Sequence, residues 1–210
     1  MYSIILARSR VFFHIMVSTT LYLLSQASCA ADIVVFDFED AGGKFELTAE
    51  AIAPQLSASP WSDADGTLTS FSGNPGLALA ARSWDDGNSL HFVLSTVPDQ
   101  ALHLDGFSFD QRASSSGATS WSLLVAGLEV ATGSTAPNFT TESSAFSTGP
   151  LSGDIAIALF GSGASGSSGT WRIDNFTLSG GVTTVPLPGS LVLMLSTICG
   201  LVGMRWLAPV

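Results

Sequence analysis

Between Asp32 and Val182 the apolar residues of this chain recur at every second position, in short runs broken by turn-forming residues. Leu90-Phe92-Leu94, Trp121-Leu123-Val125 and Ile155-Ile157-Leu159 each place their side chains on one face of an extended strand. Turn chemistry separates such runs, as in Asp85-Asp86-Gly87-Asn88 and Ser114-Ser115-Ser116-Gly117. Helical periodicity is missing apart from a weak candidate at Phe45 to Ala53, which Pro54 ends. About nine candidate strands at this spacing predict an all-β fold, an antiparallel β-sandwich of jelly-roll type.

Two of the strands change phase in mid-run. In Leu102-His103-Leu104-Asp105-Gly106-Phe107-Ser108-Phe109 the apolar set moves from even to odd positions, and in Trp171-Arg172-Ile173-Asp174-Asn175-Phe176-Thr177-Leu178 it moves across Asp174-Asn175. A slip of one residue reverses every side chain, so the pattern predicts a β-bulge at each point; burial on both faces is the alternative.

The two ends of the chain differ from this middle. Arg8 and Arg10 precede an apolar run from Val11 to Leu24, and Ser28-Cys29-Ala30 then puts small side chains at the −3 and −1 positions of a cut between Ala30 and Ala31. That is the pattern of a secretory signal peptide, a helix over residues 1–30 handled by the secretion machinery. An N-terminal anchor helix, or a lipoprotein signal at Cys29, are the alternatives. Cys199 is the only other cysteine, so the exported domain, residues 31–182, contains no thiol and depends on a hydrophobic core. Residues 183–210 form a third segment: two prolines, an uncharged apolar run, then Arg205-Trp206. The stretch 189–204 rises roughly 24 Å as a helix, slightly short of a hydrocarbon core of about 30 Å, and reads as a single transmembrane helix.

Val185-Pro186-Leu187-Pro188, the apolar run and the basic residue near the end together resemble the VPLP variant of the PEP-CTERM sorting signals of bacteria. The resemblance implies recognition of Val185, Pro186, Leu187 and Pro188 by an exosortase-type membrane protease. It also implies transient anchoring in the inner membrane, then delivery to the cell surface or extracellular matrix. Arg205 stands where members of that class usually carry several arginines. A plain membrane-anchored periplasmic domain is the rival reading of the same tail.

The middle carries a second resemblance. Phe36-Asp37-Phe38-Glu39, Leu104-Asp105-Gly106-Phe107-Ser108-Phe109, Thr119-Ser120-Trp121-Ser122-Leu123 and the closing Trp171-Arg172-Ile173-Asp174-Asn175-Phe176-Thr177-Leu178 are similar to exported jelly-roll domains related to carbohydrate-binding modules. That similarity implies a polysaccharide partner and a structural calcium shared by the early acidic residue and the late aspartate, here Glu39 and Asp174. Carboxylate oxygens suit such an ion. Two solvated edge carboxylates are the bland alternative.

Charge and side-chain inventory narrow the function further. All seventeen acidic residues lie between Asp32 and Asp174 against four basic ones, Lys44, Arg82, Arg112 and Arg172, which leaves that segment thirteen negative. A polyanionic partner such as nucleic acid is thereby disfavoured. His91 and His103 share a non-core parity and would face each other if their strands formed a hairpin at Val97-Pro98, but no third metal ligand accompanies them. Asp37, Glu39 and Asp40 cluster without the spacing of a glycosidase pair, and Asp63-Ala64-Asp65-Gly66 opens like a calcium loop but has Asn74 where a bidentate glutamate belongs. The glycine-rich stretch 161–169 lacks the lysine and helix of a phosphate loop and reads as a hairpin loop. Trp121 and Trp171 fall in phase with core residues, whereas Trp61 and Trp84 adjoin turn-like sequence and are the candidates for stacking on sugar rings. The expectation is a non-enzymatic exported surface or matrix protein that binds polysaccharide weakly or only builds matrix. An exported carbohydrate-active hydrolase centred on Asp37, Glu39 and Asp40 is the alternative.

Overall fold

The computed structural model describes residues 31–185 apart from Asp86. The signal segment with its cut at Ala30, the motif residues Pro186 to Pro188 and the apolar run 189–204 lie outside the described residues. In chain order the strands are β1 (Ala31–Phe36), β2 (Ala51–Ile52), β3 (Leu56–Ala58), β4 (Ser62–Asp63), β5 (Thr69–Ser72), β6 (Leu77–Ala81), β7 (Ser89–Thr96), β8 (Gln100–Ala113), β9 (Ser120–Val125), β10 (Leu128–Ser134), β11 (Thr140–Ala145), β12 (Asp154–Ser162) and β13 (Trp171–Thr184). No helix occurs among the described residues. Phe45 to Ala53 is extended or irregular instead: Phe45 bridges Glu39, and Ala51–Ile52 pairs with β1.

Every pairing is antiparallel, and the strands form two sheets. One has seven strands, in the order β11-β8-β13-β1-β2 with β6 against β13 and β5 against β6; the other has six, β10-β9-β12-β7-β3 with β4 against β7. Between them the inward side chains of the two-residue pattern form one core, containing Leu90, Phe92 and Leu94 from β7, Leu123 and Val125 from β9, and Ile155, Ile157 and Leu159 from β12. The opposite sheet contributes Phe36, Leu102, Leu104, Phe107, Phe109, Trp171, Ile173, Phe176 and Leu178. Interlocked rings dominate its centre, as in the edge-on packing of Phe36 against Phe92 at 4.9 Å and of Phe109 against Trp121 at 5.1 Å.

Both phase changes are bulges between β8 and β13. Gly106 pairs with Ser179 but Leu104 with Gly180, so Asp105 is the extra residue on β8. Asp110 pairs with Asp174 but Ser108 with Thr177, so β13 holds two residues, Asn175 and Phe176, opposite Phe109. Asn175 takes φ 50°, the left-handed conformation that asparagine tolerates better than most residues. At the first bulge the backbones close so far that a Cβ on Gly180 would collide with the His103 carbonyl, which explains a glycine in mid-strand.

The second bulge coincides with a break in pairing. Along one edge β13 pairs with β8 throughout, while its other edge is shared: β6 covers Trp171 to Ile173 and β1 covers Phe176 to Gly180. Asp174 and Asn175 therefore lie where one neighbour ends and the other begins.

Candidate functional site

The gap at Asp174 and Asn175 is filled from both flanks. Just past β1, Phe38 adopts φ 63° and turns Glu39 toward the 73–77 segment, where its Oε1 accepts the N–H of Leu77. Asn74 donates its backbone N–H to Asp174 Oδ2 at 2.5 Å, and Asn175 donates its own to Asp174 Oδ1 at 2.9 Å. On the neighbouring strand Asp110 accepts the Nδ2 groups of Asn175 at 3.0 Å and Asn74 at 3.3 Å, together with the Thr141 hydroxyl at 2.5 Å. Gly76, at φ 74°, leaves room for the Glu39 carboxylate that any Cβ would occupy. Glu39 and Asp174, far apart in sequence, are thus brought together, with Asp110 as a third carboxylate that sequence reasoning missed. Alternation along Phe107-Ser108-Phe109 puts Asp110 on the outer side of its strand, and no local feature signals that a loop encloses it.

Asp174 and Asp110 are both buried. Burial pushes the Asp174 carboxyl up to about 6, with the negative charges of Asp110 and Glu39 acting in the same direction and the two backbone N–H donors opposing them. All three side chains offer hard oxygen ligands, and clustered like charge of this kind is what a cation would offset. Among the described residues no group of three His, Cys, Asp or Glu side chains is arranged to hold a metal ion. An ion here would draw on Glu39 and Asp174 and complete its shell from backbone carbonyls and water.

Trp61 and Trp84 are core residues, which corrects the expectation of exposed sugar-stacking faces. Trp61 is 2% exposed, its ring 4.6 Å from Phe92 and 5.1 Å from Phe176. Its backbone N–H bonds to Leu47 and β4 begins at the next residue, so the polar sequence Ser62-Asp63 is an edge strand and not a solvent-facing turn. Trp84 is 1% exposed, packs edge-on to Trp171 at 5.2 Å and donates its indole N–H to Ala81. Turn-like neighbours misled the reading because a large aromatic placed in a loop can fold back to close the end of a sandwich. Trp121 and Trp171 are buried as expected.

The other candidates separate. β7 and β8 belong to different sheets, so the Val97-Pro98 turn is a crossover and not a hairpin; His91 sits in the six-stranded sheet opposite Ala158, His103 in the seven-stranded sheet opposite Gly181. They cannot face each other. Asp37 caps the N–H of Glu39, and Asp40 accepts those of Gly42 and Lys44, so the N-terminal acids are spent on local turns or directed to the 73–77 loop. Asp63 accepts the N–H and hydroxyl of Thr67, the turn-forming role its sequence suggests. The glycine-rich segment joins the two sheets and bonds to neighbouring loops through Ser165 to Ser116 and Ser83 to Ser167.

One surface has a different character. On the outer face of the six-stranded sheet the pairing sets Ser134, Ser120 and Ser162 in one cross-strand row and Thr132, Ser122 and Phe160 in the next. The Ser120 and Ser162 hydroxyls meet at 2.8 Å, and Phe160 is the one large aromatic exposed among the described residues, at 37%. An open depression of about 460 Å³ lies over these hydroxyls, with Glu129 at its margin.

The strand order defines an antiparallel β-sandwich of jelly-roll type, and carbohydrate-binding modules are among the solved structures it is similar to. The CBM22-1 xylan-binding domain from Paenibacillus barcinonensis Xyn10C has 10% identity over 77% of this chain and 99% of that domain, with a TM-score of 0.45. The family 11 module of cellulosomal cellulase Lic26A-Cel5E of Clostridium thermocellum has 16% identity over 73% and 97%, with a TM-score of 0.42. A CBM36 module in complex with calcium and xylotriose has 16% identity over 57% and 99%, with a TM-score of 0.37. Neither a family model nor a curated protein matches the sequence.

Proposed function

We propose that this chain is a non-catalytic exported protein of the cell surface or extracellular matrix that binds polysaccharide weakly through the outer face of its six-stranded sheet. The observation that carries the reading is the row of Thr132, Ser122 and Phe160 beside that of Ser134, Ser120 and Ser162. A sugar ring presents hydroxyls at its rim and apolar C–H groups on its face, and this surface offers hydroxyl partners around one exposed ring. Weak binding follows, because a single aromatic on an open surface buries little of a ligand. Full-length chain in neutral detergent is expected to co-sediment with the extracellular polysaccharide of the producing cells, and Phe160→Ala to reduce the bound fraction at least five-fold. Equal sedimentation of the two would remove this face from the reading.

Calcium held by Glu39 and Asp174 is part of the proposal, supported by the buried Asp174 carboxylate with Asp110 and the half-buried Glu39 beside it at the break in the sheet. When bound, the ion would tie the end of β1 to the bulge of β13. Its role is structural, since Glu39 and Asp174 stand on the sheet opposite the hydroxyl rows.

Export by the N-terminal segment and sorting at Val185 to Pro188 complete the reading, supported by the sequence pattern of the two ends. Val185 follows β13 directly and donates its N–H to the Asp99 carbonyl at 2.9 Å, so the motif begins where the sandwich ends. Deleting the exosortase-type protease of the producing cells is expected to leave a longer, membrane-retained form. A chain of unchanged length and location would favour a plain membrane anchor.

A further inference from the structure

Two of the four cations of this acidic domain stand side by side. Arg112 on β8 and Arg172 on β13 are direct cross-strand partners, and the buried residues on either side of each, Gln111, Ala113, Trp171 and Ile173, place both guanidinium groups on the outer face of the seven-stranded sheet. Like charges directly opposite each other are destabilising in a sheet.

Among the described residues, no group of opposite sign is hydrogen-bonded to either. Arg172 lies 4.5 Å over the Phe71 ring and donates Nη1 to the hydroxyl and carbonyl of Ser72, while Arg112 donates Nε to the Pro137 carbonyl at 2.9 Å. The next outward row toward the middle of the sheet holds Asp110 and Asp174, yet their oxygens are taken by Thr141, Asn74 and Asn175. Seventeen carboxylates against four cations would have made a salt bridge easy to place, and among the described residues neither arginine head hydrogen-bonds to one. The contacts they do make hold the heads in place through neutral groups, and among the described residues both Nη groups of Arg112 and the Nε and Nη2 of Arg172 are left as donors.

We propose that Arg112 and Arg172 form an oxyanion site that takes the carboxylate or sulfate group of an acidic polysaccharide. Two forked donors on adjacent rigid strands match the paired oxygens of such a group, and its charge offsets their repulsion; this attraction acts at contact, whereas the domain's net negative charge, which opposes a polyanion at a distance, is screened by salt. Aromatic support under Arg172 holds one fork in place before the ligand arrives. This site deepens the polysaccharide reading while lying on the sheet opposite Phe160, so a polymer bound here is recognised by charge and one bound there by hydroxyls.

The test is titration of the full-length chain in neutral detergent and chelator with polygalacturonate, with sodium sulfate as the free anion and dextran as the neutral polymer. Polygalacturonate is expected to bind, sulfate to compete at higher concentration, and dextran to leave the site unaffected. Arg112→Gln should weaken polygalacturonate about ten-fold or more, as loss of a charge-assisted pair implies. Arg172→Lys, which keeps the charge but not the fork, should fall between. Arg82→Gln removes the same charge elsewhere and should change nothing. Arg112→Gln relieves repulsion, so its melting temperature is expected to be no lower than that of the parent. Equal affinity of parent and Arg112→Gln would overturn the site, as would failure of the parent to bind polygalacturonate. Sulfate binding alone would overturn its assignment to a sugar. Co-sedimentation that depends on Phe160 without polygalacturonate binding sinks this site and keeps the neutral-face reading; the reverse pattern sinks that reading and keeps this one.

Discussion

Trp61→Ala is expected to lower the stability of the domain by about 3–5 kcal/mol, the range for removing a large aromatic from a packed core. The indole is enclosed by Phe36, Phe38, Phe92 and Phe176, with centroids between 4.6 and 6.1 Å away. For a domain of this size the loss corresponds to a fall in melting temperature of roughly 6–20 °C. Trp61→Phe separates packing from polarity. The Trp61 indole N–H is buried without a hydrogen-bond partner, so phenylalanine removes an unsatisfied donor along with some volume and should cost less than about 1.5 kcal/mol. Thermal unfolding of the three forms measures both. A Trp61→Ala form that melts with the parent would mean that this ring is not part of the core.

The second large effect belongs to Asp174. Its folded carboxyl is raised to about 6, above the ordinary aspartate value of about 3.9, so the folded state binds the extra proton between those values. In chelator, this group's contribution therefore improves as pH falls from 7 to 4, and the ionised form costs the folded state about 3 kcal/mol above pH 6. Asp174→Asn should remove that pH dependence. Because both Asp174 oxygens accept backbone N–H groups, the amide nitrogen would face one of those donors, and this loss offsets the gain from removing the charge, so the melting temperature at pH 7 in chelator is expected to change little. Calcium reverses the sign. A bound cation favours the ionised carboxylate and adds stability by mass action, so calcium at neutral pH should raise the melting temperature of the parent and leave Asp174→Asn unmoved. Identical melting of the parent with calcium and with chelator would remove the ion from the proposal while leaving the pH dependence intact.

Alternation in the sequence carried the fold a long way. Leu90 to Leu94, Trp121 to Val125 and Ile155 to Leu159 face the core as their period requires, and both phase changes became bulges because a reversal of side-chain parity within one strand has few other solutions. The short strands β2 to β6 were less legible. They are two to five residues long, too short for a period to show, and their positions depend on partners far along the chain.

Site residues divided along the same line. Glu39 and Asp174 were singled out from sequence and do converge, whereas Asp110 joined them only through the pairing of β8 with β13. His91 and His103 parted because a turn of the length seen at Val97-Pro98 serves equally to continue one sheet or to cross to the other, and local residues do not distinguish the two. Trp61 and Trp84 went inward for a related reason: whether an aromatic beside a turn meets water or a core depends on the element packed above it. The arginine pair depends wholly on register, since Arg112 and Arg172 are sixty residues apart and become neighbours only when β8 and β13 align.

The two-residue period, the turn residues and the charge balance are local properties, and they sufficed for the all-β class, the location of the bulges and the acidic character of the domain. Which strands adjoin, which loops close over which rings and which charges are left facing each other are non-local. They follow from how two sheets bury the largest apolar area, a constraint that acts on the whole chain at once and leaves no mark on any short stretch of it.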